Sequence, residues 1–241
     1  YMIPYFTFKN FFFHRDWEKF KKENKLPDKK IKRVDHHRSH AACSYYSSGW
    51  ESGLYITLDG QGGGVTGSVH IGANGKLKCL HRIKLPNSIG FFYAGATKAL
   101  GFKIGKHEGK VTGLAAYGKP NKECVQLFQK IVRFDNSTLV AADVIGSYPK
   151  MIELLRRTGK KNFAASVQYV FEEVIKEFVD YWALKTGIRR IGLSGGVFAN
   201  VKLNQKIHEL KSIQEIYIFP NMSDGGLAYG ACLDQYPWSL R

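Results

Sequence analysis

Leu54-Tyr55-Ile56-Thr57-Leu58-Asp59-Gly60-Gln61-Gly62-Gly63-Gly64 is the stretch from which the fold can be read. Residues 54–58 are aliphatic, β-branched or aromatic and predict a short strand. The strand runs into Asp59 and then a loop with glycine at 60, 62, 63 and 64. A simple hairpin turn capped by Asp59 needs fewer glycines than that. Backbone without Cβ atoms lets amides approach a phosphate closely. Asp59 is therefore expected at a strand end beside an anion site, with Gly60 and Gly62 near the bound group.

Working downstream, 66–71 and 77–85 flank Asn74-Gly75, a pair that favours a type I′ hairpin turn. Residues 54–85 thus read as a three-stranded antiparallel meander, and Ser88 can N-cap a helix running to about residue 100. The block Gly105-Lys106-His107-Glu108-Gly109-Lys110-Val111-Thr112-Gly113 mixes small residues with charge. Lys106, His107 and Lys110 can face an anion there, although the order is not that of a Walker A loop. Residues 121–160 read as helical connectors with a loop around 134–138.

The longest helix is expected over 162–185. Ala165, Val167, Val170, Phe171, Val174, Ile175, Phe178 and Trp182 form its apolar face, and Gly187 ends it. Gln168 and Glu172 share a second face that can reach a ligand. A strand at 190–193 then feeds Ser194-Gly195-Gly196, a helix to about 210 and a strand at 215–219. In such a βαβ unit the glycine turn meets a helix N-terminus, whose amides and dipole favour phosphate. The spacing is not GxGxxG, which disfavours a dinucleotide fold. Ser223-Asp224-Gly225-Gly226 adds a second Asp-Gly turn before a helix over 227–233.

Upstream lies Val34-Asp35-His36-His37-Arg38-Ser39-His40. His36 and His40 are four apart at the head of a helix expected through 46, with Gly49 as its C-cap. Residues at that spacing share a helix face, which suits two imidazoles on one divalent metal. A third ligand has to come from far along the chain. A site of two His and a carboxylate suits ferrous iron or zinc.

Bulk properties narrow the classes. The chain has 241 residues, 44% hydrophobic and 23% charged, as expected of a globular protein with a real core. The net charge of +16 favours polyanions, but Lys and Arg are dispersed and no nucleic-acid-binding motif is present. Nucleic acid is therefore not the expected partner. The four cysteines form no CxxC pair, which argues for free thiols in a reducing cytoplasm. No apolar run is long enough for a membrane span. The opening 1–13 is aromatic-rich without the layout of a signal peptide. A polar helix is expected over 16–23 and a turn at Leu26-Pro27-Asp28.

Five blocks in order resemble the O-carbamoyltransferases of the NodU/CmcH type. They are His36-His37-Arg38-Ser39-His40-Ala41-Ala42, Leu58-Asp59-Gly60, His107 to Gly118, Leu193 to Asn204, and Ser223 to Gly230. The resemblance implies an α/β fold of the actin/hexokinase-like (ASKHA) class, with two lobes of mixed sheets and flanking helices, related to the tRNA threonylcarbamoyl transferases. It divides the chain into a lead-in segment, 1–33, the remainder of an incomplete first lobe, 34–118, and a second lobe with the nucleotide-binding βαβ unit, 119–241.

The implied activity moves a carbamoyl group from carbamoyl-adenylate, made from ATP and carbamoyl phosphate, to a hydroxyl of a small acceptor such as a sugar or antibiotic scaffold. By the same resemblance His36, His40 and Asp224 are metal ligands, and Asp59 lies at the phosphate and metal as ligand or general base. Asp59 and His36 are the implied catalytic residues. Gly195, Gly196 and Asn200 contact the nucleotide, and the 106–118 block lines the phosphate or acceptor cleft. The family's Gly…His-Asp-Ser-Ala-like opening block and its C-terminal adenylate-forming domain are not found. A fragment or truncated product is therefore expected, with the adenylate-forming domain as a covalent or separate partner. A tRNA threonylcarbamoyl transferase-like protein and a non-catalytic nucleotide- or metal-binding fragment are the alternatives.

Overall fold

The structure, a computed structural model, describes residues 17–27 and 32–236. The chain divides into two units, 1–34 and 35–241. In the first, a helix over 17–23 (α1) matches the polar helix expected there. The aromatic opening 1–13, Asp16 and Asp28 lie outside the described residues.

The second unit begins with α2 (His36–Ser47), whose N-cap Asp35 accepts a hydrogen bond from Arg38 N. The meander follows as β1 (Ser52–Gly62), β2 (Val65–Ala73) and β3 (Lys76–Lys84). Asn74 and Gly75 both take positive φ, 52° and 70°, as the type I′ turn requires. After α3 (Ile89–Ala99), which Ser88 caps, come α4 (Glu108–Ala115), α5 (Lys122–Ile131), β4 (Val132–Asp135), β5 (Thr138–Ala141) and α6 (Tyr148–Thr186). The chain continues with β6 (Arg190–Ser194), a 3-10 turn Gly196–Ala199, α7 (Val201–His208), β7 (Glu215–Ile218), a 3-10 turn Asp224–Gly226 and α8 (Leu227–Gln235).

Five strands form one mixed sheet in the order β3-β2-β1-β6-β7. β1 pairs antiparallel with β2 and parallel with β6, and β7 is parallel to β6. Strands from the 34–118 and 119–241 segments therefore share one sheet. Central β1 is buried on both faces, which explains its near-continuous apolar run. Leu54, Ile56 and Leu58 enter the main core with Phe92, Phe128, Phe163, Phe171 and Phe178. Tyr55 joins a smaller cluster with Ala41, Ala42, Tyr45 and Leu77 of α2 and β3. α2 packs against α8, and Gly230 makes that possible: a Cβ there would stand 2.0 Å from Ser39 O. The expected α/β class with a mixed sheet and flanking helices is what the chain adopts.

Two local expectations change. The strand does not stop at Leu58 but runs through Asp59 to Gly62, with an irregular register between Leu58 and Gly62. The turn is only Gly63-Gly64, at φ 61° and 82°, so Asp59 lies within an irregular strand rather than in a glycine loop. The loop expected at 134–138 is the turn of a β4–β5 hairpin. It has no glycine because Asn136 and Ser137 themselves take positive φ, 44° and 86°. The long helix begins just after Gly159, whose φ 78°, ψ 157° kinks it away from a preceding helical stretch, close to the start expected at 162. Gly187 caps it in the left-handed region as expected. Among the described residues no helix is long and apolar enough to cross a membrane.

Candidate metal centre

α2 projects His36 and His40 from one face toward β1 and the turn that follows β7. Nε2 of His36 lies 3.8 Å from Asp59 Oδ2 and 3.6 Å from Asp224 Oδ1. Nε2 of His40 lies 3.3 Å and 3.5 Å from the same two oxygens. One donor atom from each of the four residues falls within 4.8 Å of every other. Two nitrogens and two oxygens bound at about 2.0–2.2 Å in a tetrahedron would stand roughly 3.3–3.6 Å apart. The spacing is that of ligands around a common centre, not of hydrogen-bonded pairs. Accordingly both Nε2 atoms are buried with no hydrogen-bond partner, an arrangement costly unless something else satisfies them. A divalent cation fits this donor set.

The surroundings hold each of these side chains in place. His40 is fully buried, and its Nδ1 faces Ser194 Oγ at 3.4 Å. With Nε2 as the lone pair that would face a cation, Nδ1–H would donate to the serine, as in the usual outer contact of a ligating imidazole. Asp59 Oδ1 accepts from Gly60 N at 2.6 Å, and Oδ2 accepts from Gly196 N at 3.4 Å. Asp224 starts a 3-10 turn, and its side chain is 66% exposed, so the cluster opens to solvent on that side. An open side is what a catalytic rather than a structural cation site requires.

Electrostatics follow from the packing. Burial alone would raise the Asp59 pKa, but His36, His40 and the Gly60 amide outweigh it and hold the carboxyl far below the usual range. Burial likewise opposes charge on His40, and the Asp224 and Asp59 carboxylates reverse the balance, raising its pKa. His37, buried between α2 and the sheet and flanked by two imidazoles, is lowered to about 4.

The other expected site residues are placed as follows. Gly62 lies under the His36 ring: a Cβ there would stand 2.1 Å from His36 Cγ. Gly60 donates its amide to Asp59, and its carbonyl accepts from Ser88 Oγ. Gly195, at φ 101°, packs on the β1 backbone, where a Cβ would meet Leu58 O at 2.2 Å, and its amide donates to Met222 O. Asn200 caps α7, and its amide forms a reciprocal pair with Gln168. Gln168 also bonds Tyr93 and Glu172, so the two polar residues of the long helix serve an internal network. Lys110 lies over the Phe102 ring, and His107 Nδ1 accepts from Lys103 N. These contacts tie Lys110 and His107 to their own segment. Among the described residues, no hydrogen bond, ion pair or ring contact joins Lys106, His107 or Lys110 to the His–Asp cluster. Ser194 and the buried His37 were not anticipated. The i, i+4 rule draws attention to the outer histidines, and nothing in the spacing marks the middle one.

In solved structures the same arrangement of sheet and helices recurs. The chain superposes on component A of the (R)-2-hydroxyglutaryl-CoA dehydratase of Acidaminococcus fermentans with a TM-score of 0.53 at 17% identity, covering 84% of this chain and 68% of that one. It superposes on HypF of T. kodakarensis with a TM-score of 0.55 at 14% identity, covering 90% and 37%. The fold is thus of the actin/hexokinase-like class. Within that class, residues 7–233 match the carbamoyltransferase N-terminus family, and the chain belongs to it. Relatives include nodulation protein NolNO of Sinorhizobium fredii, 33% identical over 85% of this chain and 31% of the relative. The uncharacterized protein MJ1058 of Methanocaldococcus jannaschii is 32% identical over 87% and 38%. The chain therefore spans well under half the length of these relatives.

Proposed function

We propose that the chain is the transfer domain of an O-carbamoyltransferase, carrying a carbamoyl group from carbamoyl-adenylate to a hydroxyl of a small-molecule acceptor. The observation that supports it is the convergence of two partnerless Nε2 atoms and two carboxylates in a member of this family. In the reaction the acceptor oxygen bonds to the carbamoyl carbon. The bond from that carbon to the adenylate oxygen breaks, AMP leaves with the electron pair, and the hydroxyl proton is lost to solvent or a base. A separate adenylate-forming activity, covalently joined or not, delivers the donor.

His36, His40, Asp59 and Asp224 would hold the cation, which supplies positive charge near the donor's phosphate. Asp59 would serve as a ligand or as the general base for the acceptor hydroxyl. Its two oxygens, fixed by the amides of Gly60 and Gly196, set the ligand geometry. Gly195 and Gly196 leave the strand end beside Asp59 free of side chains, which suits the nucleotide phosphates. Lys106, His107 and Lys110 are assigned to the anionic or acceptor side of the cleft.

The test is elemental analysis of the wild type and of His36→Ala, His40→Ala and Asp224→Ala, with AMP release from carbamoyl-adenylate followed in parallel. The wild type is expected to retain iron or zinc and the variants to lose it. Full occupancy in all three variants would sink the assignment. The charge of +16 is the one feature that favours a tRNA acceptor. Tight, structure-specific tRNA binding in a gel shift at moderate salt would overturn the small-molecule reading.

A further inference from the structure

A buried chain of hydrogen bonds runs between the two elements that carry most of the ligands. His37 Nε2 lies 3.0 Å from the Val65 carbonyl, so this nitrogen bears the proton and donates. In a neutral imidazole Nδ1 is then the acceptor, and it takes the hydroxyl proton of Thr57 at 2.7 Å. With its proton committed, Thr57 Oγ1 accepts from Ser68 Oγ at 2.7 Å. Ser68 in turn accepts from His70 Nδ1 at 3.3 Å. One backbone carbonyl, that of Val65, thereby sets the direction of every bond.

We infer that His37 and Thr57 are positioning residues for the metal centre, locking α2, which carries His36 and His40, to β1, which carries Asp59. The inference rests on the metal reading proposed above. Thr57 and Asp59 are two apart on β1, and both side chains meet α2, Thr57 at His37 and Asp59 at His36 and His40. The His37 ring sits 5.1 Å from that of His36 and 6.1 Å from that of His40. The Thr57–His37 bond therefore fixes the distance between helix and strand at the very residues whose neighbours must converge.

The cost of the chain argues that it is more than packing. His37, Thr57, Ser68 and His70 are at most 1% exposed, and four apolar side chains would fill the same space without desolvating any polar group. The chain also ends on His70 Nε2, a buried acceptor with no partner. A core selected for stability alone would not carry such a terminus.

The experiment uses the full chain and Co2+ as the probe, with affinity and visible absorption recorded for wild type, Thr57→Val, Thr57→Ser and Ser68→Ala. Thr57→Val keeps the shape of the side chain and deletes the donor. Its Co2+ affinity is expected to fall about tenfold or more, the range for lost outer contacts, with displaced absorption bands. Thr57→Ser restores both readings. Ser68→Ala, one bond further out, shifts the bands in the same direction by less, and covers the case in which Thr57→Val does not fold. If the wild type binds Co2+ and both Thr57→Val and Ser68→Ala match its affinity and spectrum, the positioning role is overturned while the metal centre stands. If the wild type binds no Co2+ or other divalent cation, the metal reading fails and the positioning role with it.

Discussion

Gly62 lies directly beneath the imidazole of His36, so close that a Cβ on residue 62 would stand 2.1 Å from Cγ and 2.4 Å from Nδ1. The ring can occupy its place over β1 only because residue 62 has no side chain. The glycine at 62 makes room for the His36 ring.

Gly62→Ala is therefore expected to push the His36 ring out of the cluster while leaving the sheet paired. Co2+ or Zn2+ affinity should drop at least as far as in His36→Gln, with little change in far-ultraviolet circular dichroism. Retention of wild-type affinity would show that His36 is not held where the structure places it.

A second prediction concerns the clamp between the first and last helices of the larger unit. Arg38 Nε donates to both oxygens of Asp234, at 2.8 and 2.9 Å, and the Asp234 side chain is only 4% exposed. Burial opposes charge on Arg38 less than the Asp234 contact favours it, so its pKa is raised. Asp234→Ala leaves the half-exposed guanidinium without its carboxylate and should cost about 1–2 kcal/mol in urea unfolding, with solvent softening the loss. Because α8 directly follows the Asp224 turn, metal affinity should weaken in the same variant.

The third concerns acid. Burial, helped by the nearby Arg38 and Arg82 charges, lowers the His70 pKa from 6.5 to about 4. The unfolded chain takes up a proton below pH 6.5 that the native state refuses until about pH 4. Stability should fall as pH drops through that window and gain nothing further from this group below it. The full interval corresponds to about 3 kcal/mol at most. Urea midpoints between pH 7 and 4 should show a shallower acid slope for His70→Gln than for the wild type.

Gln168 offers a fourth. Its amide bonds Tyr93 and Asn200, and its Nε2 also reaches Glu172. Gln168→Leu would remove one partner from the Tyr93 hydroxyl, which keeps Thr112 Oγ1, and one from each end of the Asn200 amide, which keeps Thr112 Oγ1 and Leu203 N. A loss of about 1–2 kcal/mol is expected, read as a lowered thermal midpoint. A neutral result would mean that water replaces the glutamine.

The fold was largely legible because its signals are local. Asn74-Gly75 dictates a turn, Gly187 a helix end, and the period of Val167, Val170, Phe171 and Val174 a buried helix face. The β4–β5 hairpin escaped because its strands are four residues long and its turn residues carry side chains. The outer histidines stood out through helix spacing, and Asp224 through resemblance. The partners of these groups did not. His37 meets Thr57 across 20 residues and Ser194 meets His40 across 154, and no periodicity encodes such pairings. Gly62 and Gly195 are where a phosphate site would have them, and each is also required by a close approach within the protein that the sequence does not reveal.

The sheet order carries a kinetic consequence. α2 and β1 are neighbours in sequence, so His36, His40 and Asp59 can meet as soon as the meander forms. β1 meets β6 only when Leu54 pairs with Ile191, which closes a loop of more than a hundred residues. Loop-closure entropy delays such contacts in folding. Asp224 and the Ser194 support of His40 arrive with that closure, so an early intermediate would hold three of the four ligands without the last. Tight cation capture would then mark the final docking of β6, β7 and α8, and metal supplied during refolding would accelerate chiefly the slowest phase.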